Sequence, residues 1–203
     1  MAKKEIAPNL QHKERRKRDV ESLKARILRA ARDLAIRDGW TEVSIRKIAS
    51  IIEYTPPVIY EHFENKEAIL IELETIGFGE LKQALLAARA AEPDASHQLG
   101  SITRAYWRWA FDQRDLYQVM FNLDGIKSTP RSTASLRDAG TAVSETLRQI
   151  SLFAGDIDEL FFTWWSMCHG FVSLVMSGQI QGMDSRMERN LLSAVDRFAK
   201  SLV

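Results

Sequence analysis

The chain has 203 residues, 45% hydrophobic and 27% charged, with one cysteine. That balance can bury a core in one domain or in a small domain joined to a larger one. A lone cysteine, Cys168, excludes an internal disulfide and a cysteine-built zinc site, and no apolar run approaches the roughly 20 residues of a membrane span. The N-terminus is charged, without the apolar segment of a secretory signal, so a cytoplasmic protein is expected. The net charge of +1 conceals an asymmetry: residues 1–66 carry 15 Lys and Arg against 10 Asp and Glu, and the remainder 13 against 17. An N-terminal part suited to a polyanion follows, joined to a part that need not meet one.

In chain order, residues 1–18 hold seven Lys and Arg, with Arg15 and Arg16 in a block of four basic residues. They are expected as an arm ahead of the first helix, either a solubilising tail or a segment that follows the DNA backbone or enters a minor groove. Leu23, Ile27, Ala30 and Leu34 recur on one helical face that ends at Gly39. Ile45, Ile48, Ala49 and Ile52 predict a short second helix with Ser44 as N-cap. Thr55-Pro56-Pro57 predicts the start of a third. Thr55 can cap it and Pro56 suits the first helical position, while Pro57 removes a second donor and leaves the Val58 N–H as the target of the Thr55 hydroxyl. This helix is expected to reach about His62, with Ile59, Phe63 and Tyr54 packing a three-helix core.

Asn65 is expected to cap a fourth helix carrying Ile69, Leu70, Leu73, Ile76 and Leu81 inward, with Gly77 and Gly79 inside it at a cost of roughly 1 kcal/mol each. Beyond Pro93 the helical pattern resumes at Leu99, Ile102, Tyr106 and Trp109, then at Leu116 and Met120, and a polar break with Gly125 and Pro130 follows. Leu136, Val143, Leu147 and Ile150 mark the next helix, closed by Gly155. Asp156 caps the one carrying Leu160, Phe161, Trp164, Cys168, Phe171 and Val175, and the last holds Leu191, Val195, Phe198 and Leu202. An all-α chain of about nine helices is predicted.

Three short helices with a tight turn between the second and third have the geometry of a helix-turn-helix, whose last helix enters the major groove. Val43–Leu70 resembles the N-terminal domain of the TetR family of bacterial repressors. The resemblance rests on Ser44-Ile45-Arg46-x-Ile48-Ala49, Thr55-Pro56, Ile59-Tyr60-x-His62-Phe63 and Asn65-Lys66-Glu67-Ala68-Ile69-Leu70, with Trp40-Thr41 upstream. It implies a helix-turn-helix domain over 19–68 and a ligand-binding and dimerisation domain over 69–203. Tyr60 and His62 would donate to phosphates, as would Lys66 with the start of the fourth helix, and Thr41 and Ser44 at the start of the second. Arg46 would reach a guanine, and Thr55, Pro56, Pro57 and Val58 would face base edges. Two departures stand out. Glu53 occupies a turn position that is usually glycine, and Pro57 and Val58 are apolar, which favours thymine methyl contacts over hydrogen bonds.

Further along, Trp165-x-x-x-His169-Gly170-Phe171 looks like the Trp/His-Gly segment of one subgroup of TetR C-terminal domains. Family architecture implies a homodimer through the last two long helices, and an effector cavity among the middle ones. Trp107, Phe111, Tyr117, Met120, Phe121, Trp164, Cys168 and His169 are the candidate pocket residues, and aromatics at helical spacing also serve simply as core. Such a pocket suits a largely apolar small molecule. Paired carboxylates, metal-ligand spacing, a nucleophile elbow and a phosphate loop are all lacking, so no enzyme, metal or cofactor is expected. The expected activity is repression of transcription at a double-stranded DNA operator, relieved by effector. The alternative is a DNA-binding regulator with a filled core, constitutive or controlled by a protein partner.

Overall fold

The computed structural model describes residues 8–123, 133–151, 156–180, 182 and 184–202. Among them it is all-helical: α1 (Pro8–Asp38), a 3-10 turn (Trp40–Glu42), α2 (Ile45–Ile51), α3 (Pro56–Tyr60), α4 (Lys66–Ala91), α5 (Ala95–Asp112), α6 (Arg114–Met120), α7 (Thr133–Ala139), α8 (Thr141–Ile150), α9 (Ile157–Met176) and α10 (Asp184–Lys200). No helix among the described residues is long and apolar enough to cross a membrane. The chain divides into two compact units between Leu73 and Glu74.

In the first unit, α1 packs on α2 and on the 3-10 turn, and α2 packs on α3. The predicted apolar faces form its core: Ile27, Ala30, Leu34, Ile48, Ala49, Ile59 and Phe63 are buried, together with Trp40. The caps follow the sequence at two of three starts. Ser44 Oγ accepts from the Lys47 N–H at 3.3 Å, and Asn65 Oδ1 accepts from the Ala68 N–H at 2.9 Å. Thr55 occupies the N-cap position of α3, but its hydroxyl makes no cap bond, and the Val58 N–H donates to the Thr55 backbone carbonyl at 3.1 Å instead. With prolines at both following positions, one donor remains and the backbone takes it. Helix α3 is shorter than predicted and ends at Tyr60.

Two further expectations are corrected here. Helix α1 begins at Pro8, so the backbone of Arg15 and Arg16 belongs to that helix rather than to an arm ahead of it; residues 1–7 lie outside the described residues. Tyr54 does not join the core: it is 40% exposed, and the Arg26 guanidinium lies over its ring with Cζ 5.2 Å from the centroid.

In the second unit α5 is the central element, packing on α6, α8, α9 and α10. The chain turns at Gln113 (φ −118, ψ 45), which separates α5, carrying Leu99 to Trp109, from α6, carrying Leu116 and Met120. A second break at Gly140 separates α7 from α8. The break at Gly140 divides the helix predicted through Leu136 and Ile150, giving ten α-helices among the described residues against about nine expected. Gly140 permits a close approach: a β-carbon there would lie 2.1 Å from Phe161 Cε2 on α9. Gly77 does likewise on α4, where a β-carbon would meet Met120 Sδ at 2.5 Å. The cap predicted at Asp156 forms, with Oδ1 accepting from the Asp158 N–H at 2.9 Å. The breaks expected at Gly125, Pro130 and Gly155 lie outside the described residues.

Candidate DNA interface and sensing core

In the first unit, burial of Ile45, Ile48 and Ala49 leaves the next-door positions of α2 facing out. Arg46 is exposed, and makes no hydrogen bond or ion pair with the described residues. Lys47 beside it is spent on Glu42, 2.7 Å away. On α3 the single inward anchor is Ile59; Pro57 and Tyr60 face solvent, Tyr60 at 55%, while Pro56 and Val58, and His62 in the turn beyond the helix, are half-buried. Thr41 and Thr55 are exposed, and Ser44 is half-buried. Ser44 Oγ uses a lone pair in its cap bond, so its hydroxyl proton stays free to donate.

Lys66 differs from its neighbours. Its Nζ donates to the Trp40 carbonyl at 2.7 Å, and partial burial pulls its pKa below the usual lysine range. The ammonium thus braces the 3-10 turn against the start of α4, a bond the sequence spacing does not reveal. Two of its three N–H groups remain for other acceptors.

Glu53, the non-glycine turn residue, adopts φ 60 and accepts the left-handed conformation outright. Sequence reasoning missed the side chain beside it: Arg26 of α1, whose Nη2 donates to the Ile52 carbonyl at 2.9 Å. Its only sequence signal was a polar residue next to the buried Ile27.

In the second unit the candidate pocket residues pack on one another. Trp107, Tyr117, Met120, Trp164 and Cys168 are buried; Phe111, Phe121 and His169 are half-buried. Trp107 pairs with Phe111, and Phe121 contacts Phe78, Tyr117, Trp165 and His169. Trp165 and His169 stack at 5.1 Å with 19° between planes. A chain of hydrogen bonds threads this apolar mass. The hydroxyls of Tyr106 and Tyr117 lie 2.9 Å apart, Tyr117 Oη lies 2.7 Å from His169 Nδ1, and Ser173 Oγ lies 3.3 Å from Nε2. Trp164 Nε1 donates to Thr103 Oγ1 at 2.9 Å, and that hydroxyl donates to the Leu99 carbonyl. Burial holds His169 below the ordinary histidine range and raises Tyr106, Tyr117 and the Cys168 thiol, so all four are uncharged at neutral pH. Tyr106 and Ser173 were not among the candidates; Tyr106 had a signal in its aromatic neighbours, and Ser173 in its position four residues after His169 on one helix.

None of the eight candidates lines the cleft between α4 and α5. That cleft has a volume of about 450 Å³, with Ala84, Ala88 and Ala105 on its walls, Trp109 beside them, and Arg104 and Arg108 exposed at its rim. Among the described residues no group of three His, Cys, Asp or Glu side chains is placed to hold a metal ion.

Two family models match the chain: "Bacterial regulatory proteins, tetR family" over residues 27–73, and "Tetracyclin repressor-like, C-terminal domain" over residues 99–198, together well over half its length. An uncharacterized HTH-type transcriptional regulator of Mycobacterium tuberculosis is 24% identical over 164 residues, 78% of this chain and 72% of that protein. The fold is similar to a protein of unknown function from Rhodococcus (TM-score 0.71, 24% identity, 89% of this chain and 95% of that one). It is also similar to the TetR family transcriptional regulator PfmR from Thermus thermophilus (TM-score 0.63, 20% identity, 86% and 97%). Helix-turn-helix surface, helical second unit and both matches agree: the chain belongs to the TetR family of bacterial DNA-binding transcriptional regulators.

Proposed function

We propose that the chain is a homodimeric repressor, reading an operator through Arg46 and the front of α3 and leaving it when a small, largely apolar effector binds the second unit. The observation that carries the DNA-reading part is the contrast on α2: Arg46 is exposed and has no partner among the described residues, while Lys47 is held by Glu42. A guanidinium kept free at that position can make the two-pronged contact to guanine O6 and N7. Thr55, Pro56, Pro57 and Val58 would meet base edges, with thymine methyls as partners for the apolar pair. Thr41, Ser44, Tyr60 and His62 would donate to phosphates and fix register, and the basic stretch with Arg15 and Arg16 would add sequence-independent attraction. A two-fold dimer supplies the paired heads that two half-sites about one helical turn apart require.

For the sensing half, the support is the Tyr106–Tyr117–His169–Ser173 chain within an aromatic cluster, which offers polar selectivity in an apolar setting. The Trp165–His169–Gly170 segment supports membership of the Trp/His-Gly subgroup. An effector releases DNA only by binding the released state more tightly than the operator-fitting one. A second reading, DNA-binding without a small-molecule effector, is favoured by how completely Trp107, Tyr117, Met120, Trp164 and Cys168 are buried against their neighbours.

The experiment is selection of duplexes by the full chain from a randomised pool, followed by binding to the selected duplex with and without a panel of hydrophobic acids and flat aromatics. A shared palindromic sequence, released by some compounds with a change in tryptophan emission, is the expected result. A pool that yields no shared sequence overturns the operator reading. Release by no compound favours the effector-free regulator.

A further inference from the structure

A helix that ends through a left-handed residue usually places glycine there, because other residues pay for a β-carbon at positive φ. Helix α2 ends this way at Glu53. Both bonds of the closing motif are made: the Glu53 N–H donates to Ser50 O at 3.3 Å, and the Tyr54 N–H to Ala49 O at 2.9 Å. The added hold comes from α1. Arg26 Nη2 donates to the carbonyl of Ile52, and the same guanidinium covers the ring of Tyr54. One side chain therefore grips the residue before Glu53 and the residue after it.

What lies downstream makes that grip matter. Helix α3 has five residues, too few to be stable alone, and two prolines deprive its first turn of donors. The Thr55 hydroxyl makes no cap bond, so the turn and the buried Ile59 set the direction of α3. We propose that Arg26, with Tyr54, is a positioning residue for DNA recognition: it holds the Ile52–Tyr54 turn in the geometry that glycine otherwise supplies, and so aims the front of α3. This inference rests on the DNA-binding reading above.

The test uses the full chain, a duplex selected by the wild type from a randomised pool, and an unrelated duplex of equal length. Arg26→Met keeps the aliphatic stem and removes both contacts. Affinity for the selected duplex is expected to fall about tenfold, with the unrelated duplex changed by less than about twofold. Adding Glu53→Gly to Arg26→Met should restore affinity to within about threefold of wild type, because glycine needs no lock. Tyr54→Phe should bind as wild type and Tyr54→Leu should lose about threefold, a comparison that stands even where Arg26→Met fails to fold. Unchanged affinity in Arg26→Met and Tyr54→Leu overturns the proposal. So does an equal loss on both duplexes that Glu53→Gly does not restore and that comes with a flatter salt dependence, since Arg26 would then be a phosphate contact. Failure of the wild type to select any duplex sinks the DNA-binding reading, and this proposal with it.

Discussion

Tyr117 and His169 are joined by a 2.7 Å hydrogen bond from phenol oxygen to Nδ1, and the same phenol meets Tyr106 at 2.9 Å. The two bonds tie α6 to α9 and α5 inside a region otherwise filled by rings. Tyr117→Phe keeps the ring and deletes the junction, leaving the Tyr106 hydroxyl and Nδ1 without that partner in a low-dielectric core. The expected cost is about 1–3 kcal/mol. At about 2–4 °C per kcal/mol for a chain of this size, the midpoint should drop measurably in a thermal melt. A variant as stable as wild type would mean that water already serves both groups.

His169 also sets a pH dependence. Burial lowers its folded pKa below the value of about 6.5 that the unfolded chain would show. Between the two values the unfolded state binds the extra proton, so stability is full above the unfolded pKa and is lost as pH falls through that window. Protonation would also make both ring nitrogens donors, forcing Tyr117 and Ser173 to accept. Denaturant titrations from pH 7.5 down to 5 should show a decline in the wild type that His169→Gln lessens. Parallel curves would rule the imidazole out as the titrating group.

Much of this was legible because period and caps are local. The buried faces of α1, α2 and α9, and the caps at Ser44, Asn65 and Asp156, are decided by residues within a few positions of one another. What the sequence hid depends on partners far along the chain. Arg26 reaches Ile52, Lys66 reaches Trp40, and Phe161 fits against Gly140. Tyr54 looked like core because it is aromatic and lies two residues after the buried Ile52, yet its ring stays at the surface under the Arg26 guanidinium of α1. Ser173 is the exception, a local partner four residues after His169 on α9 and within reach of sequence reasoning.

The glycines divide by what a methyl group would meet. At Gly140 it would overlap the Phe161 ring, a rigid body in a packed core with no softer end to move. Gly140→Ala should destabilise by about 1–3 kcal/mol. Gly79 sits inside α4 with nothing within 4 Å of that position. Gly79→Ala should therefore stabilise by about 0.5–1 kcal/mol through helix propensity alone. Chemical denaturation of both variants checks the pair, and equal effects would contradict the close approach at Gly140.

Arg46 and Lys66 look alike in sequence, two basic residues beside helix starts, and the structure gives them different work. Arg46 is exposed with no partner among the described residues; Lys66 donates to the Trp40 carbonyl through a 2.7 Å bond. Arg46→Gln should cost about 1–3 kcal/mol on the selected duplex and relax preference at one base position. Lys66→Gln should chiefly lower the melting temperature, since a partly buried carbonyl loses its donor. The salt slope of DNA binding separates the two roles, because each phosphate contact contributes about 0.9 to it. Affinities measured at four salt concentrations should give Lys66→Gln a slope equal to that of the wild type. A slope shallower by about 0.9 would mean that the two remaining N–H groups of Lys66 reach a phosphate after all.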